Sequence, residues 1–172
     1  YYYRGAVNNN WVKFANMYWR IIRINGDNTV RMIYSGTTAP TADQATVMTG
    51  TGTRIGTSAF NTINNDNMYV GYMYTSGEVH GYGTSSTLKS TLDNWFTNNL
   101  SSFSSKISDS IFCNDRSPYF INESGVSSGG GTGSTVTNYG SFVRLSKNKL
   151  SQYSCPLKSD SFTVNDSTNG NA

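Results

Sequence analysis

Histidine occurs once in this chain, at His80, and cysteine only twice among 172 residues. A lone histidine with no acidic or cysteine partner at recognisable spacing reads as a loop residue rather than a catalytic or ligand group. Cys113 and Cys155 have no CxxC partner and no neighbouring histidine, which argues against a zinc site. Charge is also scarce: 13% of residues are charged, with a net charge of +3. The basic residues are scattered, which argues against a nucleic-acid binder, since those cluster Lys and Arg on one face. No apolar run reaches the eighteen or so residues that a membrane-crossing helix needs. The opening Tyr1-Tyr2-Tyr3 lacks an initiator Met and reads as the start of a processed fragment.

What the chain does have is tyrosine, asparagine, serine, threonine and glycine, the palette of adaptable binding surfaces. Its densest apolar stretch runs from Trp11 to Tyr34. Within it, Met17 to Ile24 and Thr29 to Tyr34 carry β-branched and aromatic residues on both arms of an Asn25-Gly26-Asp27-Asn28 turn. Period-two alternation puts Tyr18, Arg20, Ile22 and Ile24 on one face and Trp19, Ile21 and Arg23 on the other. Both faces are apolar, so a central strand is expected, with arginine stems along it and guanidinium heads in water. Gly26 is expected to supply the turn's positive φ. Short strands are expected at Tyr1 to Val7 and Trp11 to Phe14, with Ala15-Asn16 as the bend between the latter and the main hairpin.

The remainder is richer in turns. Gly36 to Thr57 reads as a long loop with a short strand near Thr46 to Met48. Asn61, Asn64, Asn65, Asp66 and Asn67 precede the run Met68 to Tyr74, which alternates as a strand, and Gly71 marks a bulge or a close neighbour. The Asn64–Asn67 group has oxygen donors for Ca²⁺. It has a single carboxylate, however, and lacks the spacing of a calcium loop, so an asparagine-rich turn is the simpler reading. Tyr72, Tyr74 and His80 join Asn64, Asn65, Asp66 and Asn67 as candidate binding residues.

From Ser85 to Leu100, Leu88, Leu92, Trp95, Phe96 and Leu100 form one apolar stripe, predicting a helix that lies across the hairpin sheet, with Ser85 or Ser86 as its N-cap. Beyond it, Phe103, Ile107 and Ile111 permit a second short helix, while Ile111-Phe112-Cys113 also reads as a strand. The Ser127 to Ser134 run lacks phosphate-loop spacing and reads as a flexible loop. Ser141 to Leu145 and Phe162 to Val164 are further strand candidates, and Asn165 to Ala172 is tail. The two cysteines fit one disulfide, in which case the compartment is oxidising; the alternative is a redox or nucleophilic thiol.

Three segments together resemble an uncharacterised extracellular domain family of Gram-positive gut bacteria. They are Tyr1 to Thr37, Ser86 to Asn99, and Ile107 to Ser117 with the later Cys155 and Asp160 to Asn169. More distantly the chain resembles the C-type-lectin-like group that includes the formylglycine-generating-enzyme fold. The resemblance implies an α+β domain spanning residues 1–172: a twisted antiparallel sheet built on a central hairpin, one or two helices, and long loops forming the binding face. Family members continue with a further Trp-containing segment, so an incomplete C-terminus and an exposed sheet edge are expected. The calcium signature of sugar-binding lectins is absent, since Asp93-Asn94-Trp95 lies in the predicted helix.

These readings lead to a non-catalytic cell-surface or secreted domain that recognises a protein or glycan through displayed loops. No cofactor is expected, Ca²⁺ being the one alternative. A pilin-like or surface-layer module is the second reading. An enzyme is the third: the ten acids form no recognisable pair for glycoside hydrolysis, and a copper oxidase would have to use Cys113 and Cys155.

Overall fold

A computed structural model describes residues 1, 7, 9–40, 50–63, 66–117, 143–150 and 154–163. The chain is α+β, with small antiparallel sheets and few helices. It divides into two compact units, Tyr1–Thr57 with Trp95–Lys106 and Ser58–Asn94 with Ile107–Ala172. The expected strand at Thr46 to Met48, most of that at Tyr1 to Val7, the Ser127 to Ser134 run and the tail lie outside the described residues.

The first unit is built on strands β1 (Trp11–Phe14), β2 (Met17–Ile24) and β3 (Val30–Tyr34), paired antiparallel in the order β1-β2-β3. β2 is central, as its two apolar faces predict. Ala15 and Asn16 form the two-residue β1–β2 loop, with φ of 51° and 60° and Phe14 opposite Met17. Two successive left-handed residues match the twist of the flanking strands. In the β2–β3 loop the positive φ falls on Asn28, at 66°, and not on Gly26. Asn25 accepts from the Asn28 N–H at 3.1 Å and donates to the Thr29 carbonyl at 2.8 Å. The left-handed residue therefore follows the turn, a place asparagine tolerates. Asp27 accepts from the Thr29 hydroxyl at 2.7 Å and its N–H at 2.9 Å, and these bonds hold its carboxyl below the usual carboxylate range.

Strict alternation fails late in β2. Ile21 pairs with Met32 and Arg23 with Arg31, so Ile22 is an extra residue in a bulge, 43% exposed. The bulge brings Arg23 to the face that carries Arg20. Arg20 itself corrects a second expectation, since its head is not in water: the residue is 1% exposed. Its guanidinium lies 3.6 Å above the Trp11 ring and donates to the Val7 carbonyl at 2.5 Å and to the Asn10 side-chain oxygen. Asn10 also exchanges bonds with the Ile21 backbone. Carbonyl and amide oxygens with an aromatic face thus replace hydration.

The helix α1 (Thr87–Asn99) follows its predicted stripe and runs on into a 3₁₀ turn, Ser101–Lys106, which takes up Phe103. Its end packs on the sheet. The Trp95 ring lies 6.4 Å from Trp19 and 5.7 Å from Tyr34, edge to face, and Phe103 lies 5.5 Å from Phe14. Trp19 is buried, and its indole N–H donates to the Phe14 carbonyl at 3.0 Å. Edge-to-face pairs add about 0.5–1.5 kcal/mol each beyond burial.

The second unit has two two-stranded ribbons: β4 (Met73–Tyr74) with β5 (Thr84–Ser85), and β6 (Phe112–Cys113) with β7 (Ser161–Phe162). The long strand expected over Met68 to Tyr74 is reduced to its last two residues. The Asp66 carboxylate accepts the Met68 N–H at 3.0 Å and its carbonyl accepts the Tyr69 N–H at 3.1 Å, winding Asn67–Tyr69 into a 3₁₀ turn. Gly71, at φ 122°, then breaks the extended path. The strand candidate at Ser141 to Leu145 is likewise corrected: Val143–Lys147 is a wide helical turn. The Leu150 N–H takes the Arg144 carbonyl at 2.9 Å and closes it locally. Ser86 is the N-cap of α1, its hydroxyl accepting the Lys89 N–H at 2.9 Å.

Candidate functional site

The second unit is gathered around a buried charge. Arg116 and Asp160 are 1% and 0% exposed, and the Arg116 Nε donates to Asp160 Oδ1 at 2.7 Å. The Arg116 backbone N–H adds a bond to Oδ2 at 3.1 Å, and the Asn114 N–H donates to the Asp160 carbonyl at 2.8 Å. Arg116 Nη1 reaches the carbonyls of Met73 at 2.6 Å, Gly81 at 3.0 Å and Val70 at 3.3 Å. One side chain thus ties four segments that are far apart in sequence. Gly71 is glycine for this reason as well as for its φ: a Cβ there would stand 2.5 Å from Arg116 Cδ. The close neighbour expected at Gly71 is Arg116.

His80 completes the cluster. Its Nδ1 lies 3.0 Å from Asp160 Oδ2, with the imidazole side chain 27% exposed. The expectation that His80 has no acidic partner is therefore overturned; the partner is eighty residues away. A carboxylate that is itself fixed by arginine orients the imidazole through Nδ1, and Nε2 is the other ring nitrogen. Among the described residues no hydroxyl or thiol is hydrogen-bonded to that nitrogen.

Cys113 and Cys155 form a disulfide, with Cα atoms 5.5 Å apart. The bond fixes β6, on which an aromatic stack stands. Tyr72 lies 4.9 Å from Phe162 with rings nearly parallel, and Phe112 lies 5.8 Å from the other partner of that stack, Phe162. Burial and the nearby Asp93 carboxylate push the Tyr72 phenol up to about 12.

Of the remaining candidate binding residues, Tyr74 and Asp66 are described. Tyr74 packs on Tyr69 at 4.8 Å, and the Asp66 carboxylate is engaged in its own turn. Asn64 and Asn65, and the side chain of Asn67, lie outside the described residues. Among the described residues no group of three His, Cys, Asp or Glu side chains could hold a metal. No helix among them is long and apolar enough to cross a membrane. Sequence reasoning missed Arg116 and Asp160 altogether. Forty-four positions separate them; each lies in a segment that carries the resemblance, Ile107 to Ser117 and Asp160 to Asn169, but nothing in those segments pairs the two.

Comparison of the chain with protein-family models, with curated proteins and with solved structures returns no match in any of the three.

Proposed function

We propose that this chain is a non-catalytic recognition domain of the extracellular or cell-surface type, binding protein or glycan through loops. The observation that carries this is how the polar constellation of the second unit is used. Arg116 directs its donors to Asp160 and to three backbone carbonyls, and the carboxylate is fully engaged in return. The cluster thereby supports the loops that carry those carbonyls. Rigid support under loops is what a recognition surface needs, because it lowers the entropy lost on binding. The disulfide suits an oxidising compartment. The resemblance to the extracellular family, and through it the C-type-lectin-like arrangement, belongs to the same proposal. It is supported by a small sheet with one helix packed on it and a loop-rich part tied by a disulfide.

A second reading, a structural pilin-like or surface-layer module, is favoured by one feature. Among the described residues β3 is an edge strand, and its Val30 and Ile33 are 44% and 45% exposed. An enzyme is the least supported reading, its one favourable feature being the Asp160-oriented His80.

A glycan array together with pull-down against bacterial and host surface material tests the first reading. Specific capture by the folded domain is expected. Silence in both, with self-assembly visible by light scattering, would transfer support to the structural module.

A further inference from the structure

Within the second unit, beside the disulfide, a cleft of about 330 Å³ opens between the segment Cys113 to Asp115 and the turn that carries Arg144. We propose that this cleft is a binding site for one neutral sugar residue, recognised without metal. The inference rests on the recognition reading above and narrows it to a ligand class.

Charge comes first. Among the described residues the ionisable side chains on the cleft wall are Asp115 and Arg144, and they neutralise each other: Arg144 Nη2 donates to Asp115 Oδ2 at 2.9 Å. An anionic ligand would meet Asp115 and a cationic one Arg144, so the field selects neither. The pair still offers hydrogen bonds. Guanidinium has five N–H donors, of which this contact uses one, and the Arg144 side chain remains 24% exposed. The Asp115 carboxylate is 6% exposed and is further held by the Ser117 N–H at 3.3 Å, so it orients the guanidinium. Amide and hydroxyl groups of Asn114 and Ser154 share the wall with Leu145 and Pro156. Polar groups of both kinds around a small apolar surface suit a ring that carries hydroxyls on its edge and C–H groups on its face.

Size and stiffness agree. The volume lies at the lower end of small-molecule sites and fits one ring-sized unit better than a peptide. The wall is preorganised from three sides. Cys113 pairs with Ser161 in the β6–β7 ribbon and is bonded to Cys155, while the Asn114 and Arg116 N–H groups are both anchored on Asp160. The buried clamp thereby acquires a purpose, since it holds the residue between those anchors, Asp115, in place.

The test is NMR titration of the isotope-labelled chain with methyl glycosides of glucose, galactose, mannose and N-acetylglucosamine, with glucuronate and N-acetylneuraminate as acidic arms. At least one neutral glycoside is expected to shift the amides of Asn114, Asp115 and Leu145, with affinity in the millimolar range and insensitive to salt. Arg144→Gln is expected to weaken it about tenfold or more with the circular dichroism unchanged. Leu145→Glu, at a 53% exposed wall position that carries no fold, is expected to weaken it as well. Tighter, salt-sensitive binding of an acidic sugar would overturn the neutral assignment. Shifts that avoid the cleft, or binding that both substitutions leave intact, would overturn the site. If no sugar binds while the chain still captures surface material, the cleft inference fails alone; if both are silent, the recognition reading fails with it.

Discussion

In the first unit, edge-to-face rings of Trp19, Tyr34 and Trp95 close a three-stranded sheet over one end of a helix. In the second, strands are only two residues long, and a buried arginine gathers loop carbonyls around an aspartate. The contrast follows from what each stretch of chain can offer. Where β-branched and aromatic residues are dense, apolar burial suffices, and Arg20, the one buried charge described there, donates from Nη1 to Asn10 and Val7 and lies over the Trp11 ring. Where serine, glycine and asparagine dominate, too little apolar surface exists, and a hydrogen-bonded ion pair with a disulfide takes its place. The two solutions fail differently. Rings lose stability in proportion to the area removed, whereas a clamp fails when one partner is lost, because the other charge is left buried without its counter-charge.

The largest effect is therefore expected from Arg116→Met or Asp160→Asn, each costing about 3–5 kcal/mol. Hydrogen exchange would show protection lost at Tyr72, Gly81 and Ser161 while β2 keeps its own. Equal loss in β2 would break the contrast between the units. Trp19→Ala should cost about 3 kcal/mol by cavity formation, with the opposite exchange pattern. Removing the disulfide by Cys113→Ser with Cys155→Ser opens a sequence separation of 42 residues. In the chain-entropy model that loses up to about 4 kcal/mol, read as a shift of the urea midpoint for the second unit. Ala15→Gly should go the other way, gaining about 1 kcal/mol, because Ala15 sits at a φ of 51° that glycine adopts without a Cβ penalty.

The last effect is a pH dependence. The Tyr72 phenol is raised to about 12 in the folded chain, against 10.0 ordinarily. Between those values the native state keeps a proton that the unfolded state has released, so stability is whole below pH 10 and falls as pH rises toward 12. Tyr72→Phe should flatten that decline, and ultraviolet titration of phenolate should lose its highest-pH component.

The hairpin, its central position, the helix stripe and a serine cap at Ser85 or Ser86 were legible in the sequence, because each is set by residues within one or two turns of one another; the structure chose Ser86. The reach of β2's alternation was not, since a bulge depends on the register of the partner strand. Nor was the placement of positive φ on Asn28, which depends on how the loop closes. In the candidate site, Tyr72 and His80 were picked out without their partners, Phe162 and Asp160.

By itself the sequence determined the apolar hairpin, the helix stripe and the scarcity of charge, through local periodicity and composition. It also set the supply of two cysteines. Tertiary structure alone decided that those cysteines meet, that His80 has a carboxylate, and that Arg116 is buried among carbonyls. The physical reason is distance along the chain. Hydrophobic periodicity repeats within a few residues and can be read locally, whereas an ion pair between residues 116 and 160 exists only once the intervening loop has closed and excluded water.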